Sequence, residues 1–238
     1  MNVLPKSLTV VIPAYNEEAS LEKIVVDTLG VVRGTAAQFE IIIVDDGSTD
    51  GTRRVAEKLV RQYPEVRVVS HERNLGSGAA IKTGVAHAAC EYVIYVPADD
   101  QFNIREVDGF LSLTDRADIV IGVRLERSDY SWFRLLSSRV FIALANFLFG
   151  FRYKDVNWVH LWRREAFQKI RPRSKGVFML EEILVRADRL GYKVAEIDSG
   201  YRPRIAGRPK GCSIRSILTA IYEMGQLWLE MHLHRRRR

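Results

Sequence analysis

Two adjacent carboxylates, Asp45 and Asp46, follow the run Phe39-Glu40-Ile41-Ile42-Ile43-Val44 and lead into Gly47-Ser48-Thr49-Asp50-Gly51-Thr52. A β-branched run that ends in acids and a turn reads as a buried parallel strand whose carboxyl end opens into a pocket, with a helix starting near Thr52. Acids placed there can accept hydrogen bonds from a base or a ribose. The plainer alternative is that Asp50 caps the helix and its neighbours are solvated. The arrangement recurs elsewhere in the chain. Residues 8–12 run into Pro13-Ala14-Tyr15-Asn16-Glu17-Glu18, where Asn16 reads as a helix N-cap with acids in the first turn. Residues 91–96 run into Pro97-Ala98-Asp99-Asp100-Gln101. Between these, Asn74-Leu75-Gly76-Ser77-Gly78-Ala79-Ala80 opens a helix, and Gly76 and Gly78 allow close backbone approach at its start.

These turns must sit on a scaffold of alternating strands and helices. The pattern predicts strands near 8–12, 39–44, 66–70, 91–96 and 117–121, separated by helices near 18–31, 52–62, 77–89 and 103–113. Such alternation implies an α/β fold with a mostly parallel sheet, helices on both faces, and ligands at the carboxyl ends of the strands. Every candidate turn falls at such an end. A dinucleotide-binding arrangement is the nearest competitor, but its GxGxxG would follow the first strand; here Gly76-Ser77-Gly78-Ala79-Ala80-Ile81 follows the third and lacks the last glycine.

With 238 residues and 47% apolar content the chain can bury a sizeable core, and no Pro/Gly/Ser-rich linker divides it. Cys90 and Cys212 follow no metal-binding spacing, so reduced thiols and a cytoplasmic setting are expected. The net charge of +7 would suit phosphates, yet no recognised nucleic-acid motif appears and nucleic acid is not expected as a partner. The start lacks the features of a signal peptide, and the longest apolar segment, residues 140–151, falls short of the ~20 residues of a spanning helix.

On these residues the chain resembles the family 2 glycosyltransferases of GT-A fold, and within them the polyprenyl-phosphate (dolichol-phosphate) sugar synthases, over roughly residues 8 to 210. The resemblance implies an inverting transfer of a sugar from a nucleotide-diphosphate donor (GDP- or UDP-sugar) to a polyprenyl phosphate at the cytoplasmic membrane face. It implies that Pro13, Ala14, Tyr15, Glu17, Asp45, Asp46, Gly76 and Gly78 line the nucleotide pocket. The family's metal loop reads Asp-x-Asp-x-Gln, and its positions here are Pro97, Asp99 and Gln101. The first acid is missing. Asp99, with Gln101 in support, is then left to hold a Mg2+ or Mn2+ ion whose other ligands are phosphate and water. Asp100 is expected to be a solvated or capping acid.

In the second half, Arg124, Arg134, Ser138 and Arg139 match the family's arginine-bearing loop and following helix, which meet the donor diphosphate and acceptor phosphate. Glu182 matches a glutamate presented to the sugar, with a helix-dipole role as the alternative for Glu181 and Glu182. Arg204 and Lys210, and less strongly Arg202, match a late basic phosphate-binding pattern. The resemblance thus assigns catalysis to Asp99, Glu182 and Arg134. The chain departs from the family at Asp155-Val156-Asn157-Trp158-Val159-His160, where relatives have a smaller turn; His160 reads as a core histidine rather than a base. Residues 1–211 are expected to form the catalytic domain and 212–238 an amphipathic helix with a basic end, either docked on the core or lying on a membrane surface. Two other functions remain open: a transferase acting on a hydroxyl acceptor, and a nucleotide-sugar binder without activity.

Overall fold

The computed structural model describes residues 4–126, 130, 132–203 and 214–235. Strands β1 (Leu4–Ala14), β2 (Ala36–Asp45), β3 (Val66–Ser70), β4 (Tyr92–Tyr95), β5 (Ile119–Arg124), β6 (His160–Arg163) and β7 (Val194–Ser199) form one sheet in the order β3-β2-β1-β4-β6-β5-β7. The pairs β1–β2, β2–β3, β1–β4 and β5–β7 are parallel. Only β6, among the described strands, runs against its neighbours β4 and β5. The expected mostly parallel sheet is thus present. Its strand order reverses direction of growth at β1 and β4, the place where α/β sheets leave a crevice beyond their strand ends.

Period-two alternation divides the side chains between two layers. Leu8, Val10 and Ile12 pack with Ile41, Ile43 and Ile94 beneath helices α1 (Leu21–Val32), α2 (Thr52–Gln62) and the short α4 (Val107–Ser112). Val11, Ile42, Val44, Val93 and Tyr95 face the other way, beneath α3 (Ser77–His87), α6 (Arg164–Ile170) and α7 (Met179–Arg189). Strands buried on both faces cannot alternate apolar with polar, which is why they read as continuous β-branched runs.

Two further helices, α5 (Trp132–Phe149) and α8 (Ile214–Arg235), stand outside these layers. They meet through a smaller cluster in which Ala145 of α5, Phe178 and Val185 beside and on α7, and Ala220, Met224, Leu227 and Met231 of α8 are buried together. The buried α8 positions recur every three or four residues, so one stripe docks. Its opposite side leaves Leu218, Ile221, Tyr222 and Leu229 exposed. No helix among the described residues is long and apolar enough to cross a membrane.

Candidate active site

The loops after β1 and β2 are laced to each other. Asn16 adopts a left-handed backbone, φ 52°, from which its N–H donates to Ser48 Oγ at 3.0 Å and its Oδ1 accepts from the Thr49 N–H at 2.8 Å. The Glu17 N–H donates to Thr52 Oγ1 at 2.8 Å. Asn16 is therefore a bridge rather than the expected cap; α1 starts at Leu21, after Ser20. Ser20 Oγ donates to the Ala98 carbonyl at 2.6 Å, which ties in the loop after β4. Asp50 does serve the start of α2, its Oδ1 accepting from the Thr52 N–H at 2.9 Å.

The two leading acids divide their work. Asp46, buried, accepts from the backbone N–H groups of Leu75 and Gly76, each at 2.9 Å, and lies 2.7 Å from His71 Nδ1. It thereby pulls the glycine-bearing segment against the end of β2. Asp45 accepts from the Ser48 N–H at 3.0 Å and closes its own turn. A side chain at Gly76 or Gly78 would meet backbone: a Cβ there would lie 2.8 Å from the Lys175 carbonyl oxygen in both cases, and at Gly78 only 2.6 Å from that of Gly176. Gly76 also has φ 97°, which disfavours any other residue.

Beyond these strand ends lies a crevice of about 730 Å³. Of the expected nucleotide-pocket residues, Pro13, Ala14, Tyr15, Glu17, Asp46, Gly76, Gly78 and Asp99 line it. Asp45 stands behind the wall. Gln101 lines it too, but its amide Nε2 donates to Tyr201 Oη, and its backbone N–H to Asp99 Oδ1 at 3.2 Å. Pro97 lines the place of the missing acid, and no three His, Cys, Asp or Glu side chains converge on a metal position among the described residues. Asp99 is the carboxylate of the metal loop that faces the crevice; such a donor set fits a cation bringing most of its oxygen ligands with it. Asp100 does not cap the next turn. It pairs with Lys23 Nζ at 2.9 Å, while Asn103 Oδ1 receives the Arg105 N–H of the next turn.

The opposite wall is cationic. Arg124 holds Asp155 with two hydrogen bonds, Nε to Oδ2 at 2.7 Å and Nη2 to Oδ1 at 2.9 Å, and its Nη1 donates to Tyr130 Oη at 2.7 Å. Its guanidinium also lies 5.0 Å from the Trp158 ring centre. Burial would depress its pKa, but the Asp155 carboxylate more than offsets this and holds the cation firmly charged. Arg134, from the first turn of α5, lies 3.7 Å over the Tyr130 ring, and Ser137 and Ser138 follow it along the wall. Arg202 donates its backbone N–H to the Gln101 carbonyl at 2.9 Å and its side chain is exposed. Arg204 and Lys210 lie outside the described residues.

Glu182 does not line the crevice. Its carboxylate accepts from the backbone N–H groups of Arg173 at 2.9 Å and Ser174 at 2.7 Å, and from Arg186 Nε at 2.6 Å. Burial alone would raise its pKa; these donors outweigh burial and lower it. Glu181, one residue and about 100° around the helix, is equally buried, and neither carboxylate oxygen has a hydrogen-bond partner. Burial drives its carboxyl well above the ordinary range. His160 is a core residue as expected, yet neither ring nitrogen meets a partner, and burial lowers its pKa to about 3.

Sequence reasoning passed over Tyr95, Tyr130, Ser137, Phe141, Ile142 and Ile217, all of which line the crevice. Phe141 and Ile142 of α5 and Ile217 and Ala220 of α8 add apolar side chains to its lining. Their signal lay in the apolar content of residues 140–151 and the terminal helix.

The seven-stranded, mostly parallel α/β sheet with a crevice at its switch point is the GT-A-like fold of glycosyltransferases. The chain belongs to glycosyl transferase family 2, whose model matches residues 9–177. It is 32% identical over 235 residues to a dolichyl-phosphate beta-glucosyltransferase of Trichomonas vaginalis, covering 85% of this chain and 70% of that one. It is 30% identical over 231 residues to a polyprenol monophosphomannose synthase of Mycolicibacterium smegmatis, covering 91% and 86%. Its fold is shared with glucosyl-3-phosphoglycerate synthase of Mycobacterium tuberculosis, crystallised with Mn2+, UDP-glucose and phosphoglyceric acid, at TM-score 0.75 and 22% identity over 94% of this chain and 80% of that one.

Proposed function

We propose that this glycosyltransferase moves a sugar from a nucleoside-diphosphate donor, a UDP- or GDP-sugar, to a polyprenyl phosphate at a membrane surface. The observation that carries the reading is the mixed lining of the crevice. It combines Pro13, Ala14, Tyr15, Glu17, Asp46 and Asp99 with the cations Arg124 and Arg134, Ser138, and apolar side chains of α5 and α8. A nucleotide, phosphates and a lipid chain would each find matching groups there. The names of the two relatives agree with such an acceptor.

The acceptor explains the chemistry. A phosphate monoester is mostly dianionic at neutral pH, its second pKa being about 6. Its oxygen attacks the anomeric carbon with no base to deprotonate it, the bond to the donor diphosphate breaks, and the nucleoside diphosphate leaves with the electron pair. Arg124, held rigid by Asp155 and Trp158, and Arg134 supply fixed positive charge to two phosphate groups that would otherwise repel each other. A divalent cation at Asp99 would neutralise charge developing on the leaving diphosphate. The residues of β1 and β2 orient the base and ribose.

Apolar side chains are exposed on the outer sides of α5 and α8 as well. Trp132, Leu136, Val140, Leu144 and Phe147 follow each other along one side of α5 and are exposed, Phe147 to 83%. With the exposed apolar residues of α8 they support peripheral attachment to a bilayer next to the crevice. The direct experiment incubates the purified protein with Mg2+ or Mn2+, a panel of UDP- and GDP-sugars, and polyprenyl phosphate in vesicles. Sugar-lipid formation with release of nucleoside diphosphate is the expected result. Transfer to hydroxyl acceptors, with none to the phosphate, would refute it.

A further inference from the structure

The turn at residues 172–176 runs between α6 and α7 and presses against the start of α3. Its backbone is gripped from two sides. Lys82 Nζ, on α3, donates to the carbonyl oxygens of Pro172, Arg173 and Ser174 at 3.4, 3.1 and 2.7 Å. Glu182, on α7, accepts from the N–H groups of Arg173 and Ser174. The next carbonyl, that of Lys175, receives the Ala79 N–H at 3.0 Å. Immediately after this turn, Gly176 and Val177 enter the crevice wall beside Gly76 and Gly78.

We infer that Lys82 and Glu182 are a pair of positioning residues that fix the 172–176 turn and thereby set the crevice wall at Gly176 and Val177. Neither touches the crevice, and they act on opposite polarities of one backbone: the ammonium takes the carbonyls, the carboxylate takes the N–H groups. A peptide segment in this place would otherwise leave several polar groups unsatisfied in a half-buried site. A surface ion pair would tolerate loss of one member; this arrangement does not, because each charge holds a different set of backbone groups. Arg186 secures Glu182 at 2.6 Å and, with Arg173, reaches Glu230 of α8 at 3.3 Å, so the outer side of the turn is tied to the terminal helix as well. The absence of a side chain at Gly76 and Gly78 has the same cause, since the Lys175 and Gly176 carbonyls occupy that space.

The inference deepens the transferase reading but has a readout independent of it. The variants are Lys82→Met, Lys82→Arg and Glu182→Gln, compared by amide hydrogen exchange, nucleoside-diphosphate binding and steady-state kinetics on the whole chain. Lys82→Met and Glu182→Gln should speed exchange at Arg173, Ser174 and Ala79 by about tenfold or more, while the strands of the sheet keep their protection. Because the wall borders Gly76 and Gly78, nucleoside-diphosphate affinity should fall by about threefold or more, and the donor KM should rise with it. Lys82→Arg should recover most of both effects, because guanidinium keeps the charge and reach. Unchanged exchange in Lys82→Met, or a loss of protection spread evenly over the sheet, overturns the inference. If exchange responds as expected but the wild type transfers no sugar to polyprenyl phosphate, the turn assignment stands and the transferase reading falls. If exchange in Lys82→Met is unchanged while the wild type transfers sugar, the reverse holds.

Discussion

Replacing His160 by leucine should make the protein more stable, and increasingly so as the solution becomes acidic. The imidazole is fully buried, with Ile121 opposite it on β5 and Trp162 two residues on along the same face. Its nitrogens have no hydrogen-bond partner, so even the neutral ring costs about 1 kcal/mol or more relative to an apolar side chain of similar size. Burial lowers its folded pKa from 6.5 to about 3, the Asp155 charge offsetting only part of the effect. Between those two values the unfolded chain carries the proton and the folded chain does not, so stability falls as pH falls. Linkage gives a loss of about 2 kcal/mol from this residue on going from pH 7.5 to pH 5. Urea unfolding of both proteins at the two pH values should therefore show a gap of about 1 kcal/mol at pH 7.5 widening to about 3 kcal/mol at pH 5. A gap that stays constant would mean that His160 accepts its proton in the folded state with no penalty, and the argument from burial would be refuted.

Asp99→Asn should lower metal-dependent turnover by about a hundredfold or more with an unchanged melting temperature, since the amide keeps the shape and loses the charge; full turnover at limiting metal would remove Asp99 from the mechanism. Asp155→Asn leaves the buried Arg124 cation without its counter-charge and should cost about 3 kcal/mol or more in chemical unfolding; a cost under about 1 kcal/mol would show that solvent reaches the arginine. Phe147→Asp with Leu218→Asp, both at exposed positions, should reduce sedimentation with anionic vesicles and raise KM for a long-chain acceptor while sparing a short soluble one. Equal sedimentation of variant and wild type would place the lipid contact elsewhere.

The parts legible in the sequence were those set by local pattern. Ile41-Ile42-Ile43-Val44 could only be a strand buried on both faces, and the acids that follow it had to emerge at its end. The strand β6 was not legible, because His160-Leu161-Trp162-Arg163 is short and its direction against β4 and β5 depends on pairing with residues far away in the chain. The Arg124–Asp155 pair spans 31 positions, and nothing near either residue announces the other. At Glu181 and Glu182 the family resemblance placed both acids near a helix start, and α7 begins at Met179. Which carboxylate would meet donors depended on a turn folded back from α6, and that is a tertiary fact. Asn16 illustrates the same competition, for its side chain could cap α1 or bridge to Thr49, and the proximity of the β2 loop favoured the bridge.

The walls of the crevice are attached unevenly. The loops after β1 and β2 are welded into the sheet by short crossed contacts, so that a substitution at Asn16, Asp46 or Thr52 disturbs several backbone contacts at once. The wall carried by α5 and α8 shares a small apolar cluster with α7, and its outer faces carry exposed apolar side chains. Changes along those outer faces are far from the nucleotide loops and share no partners with them, so their effects add rather than compound. Substitutions along α5 and α8 can therefore accumulate one at a time while the loops after β1 and β2 stay as they are.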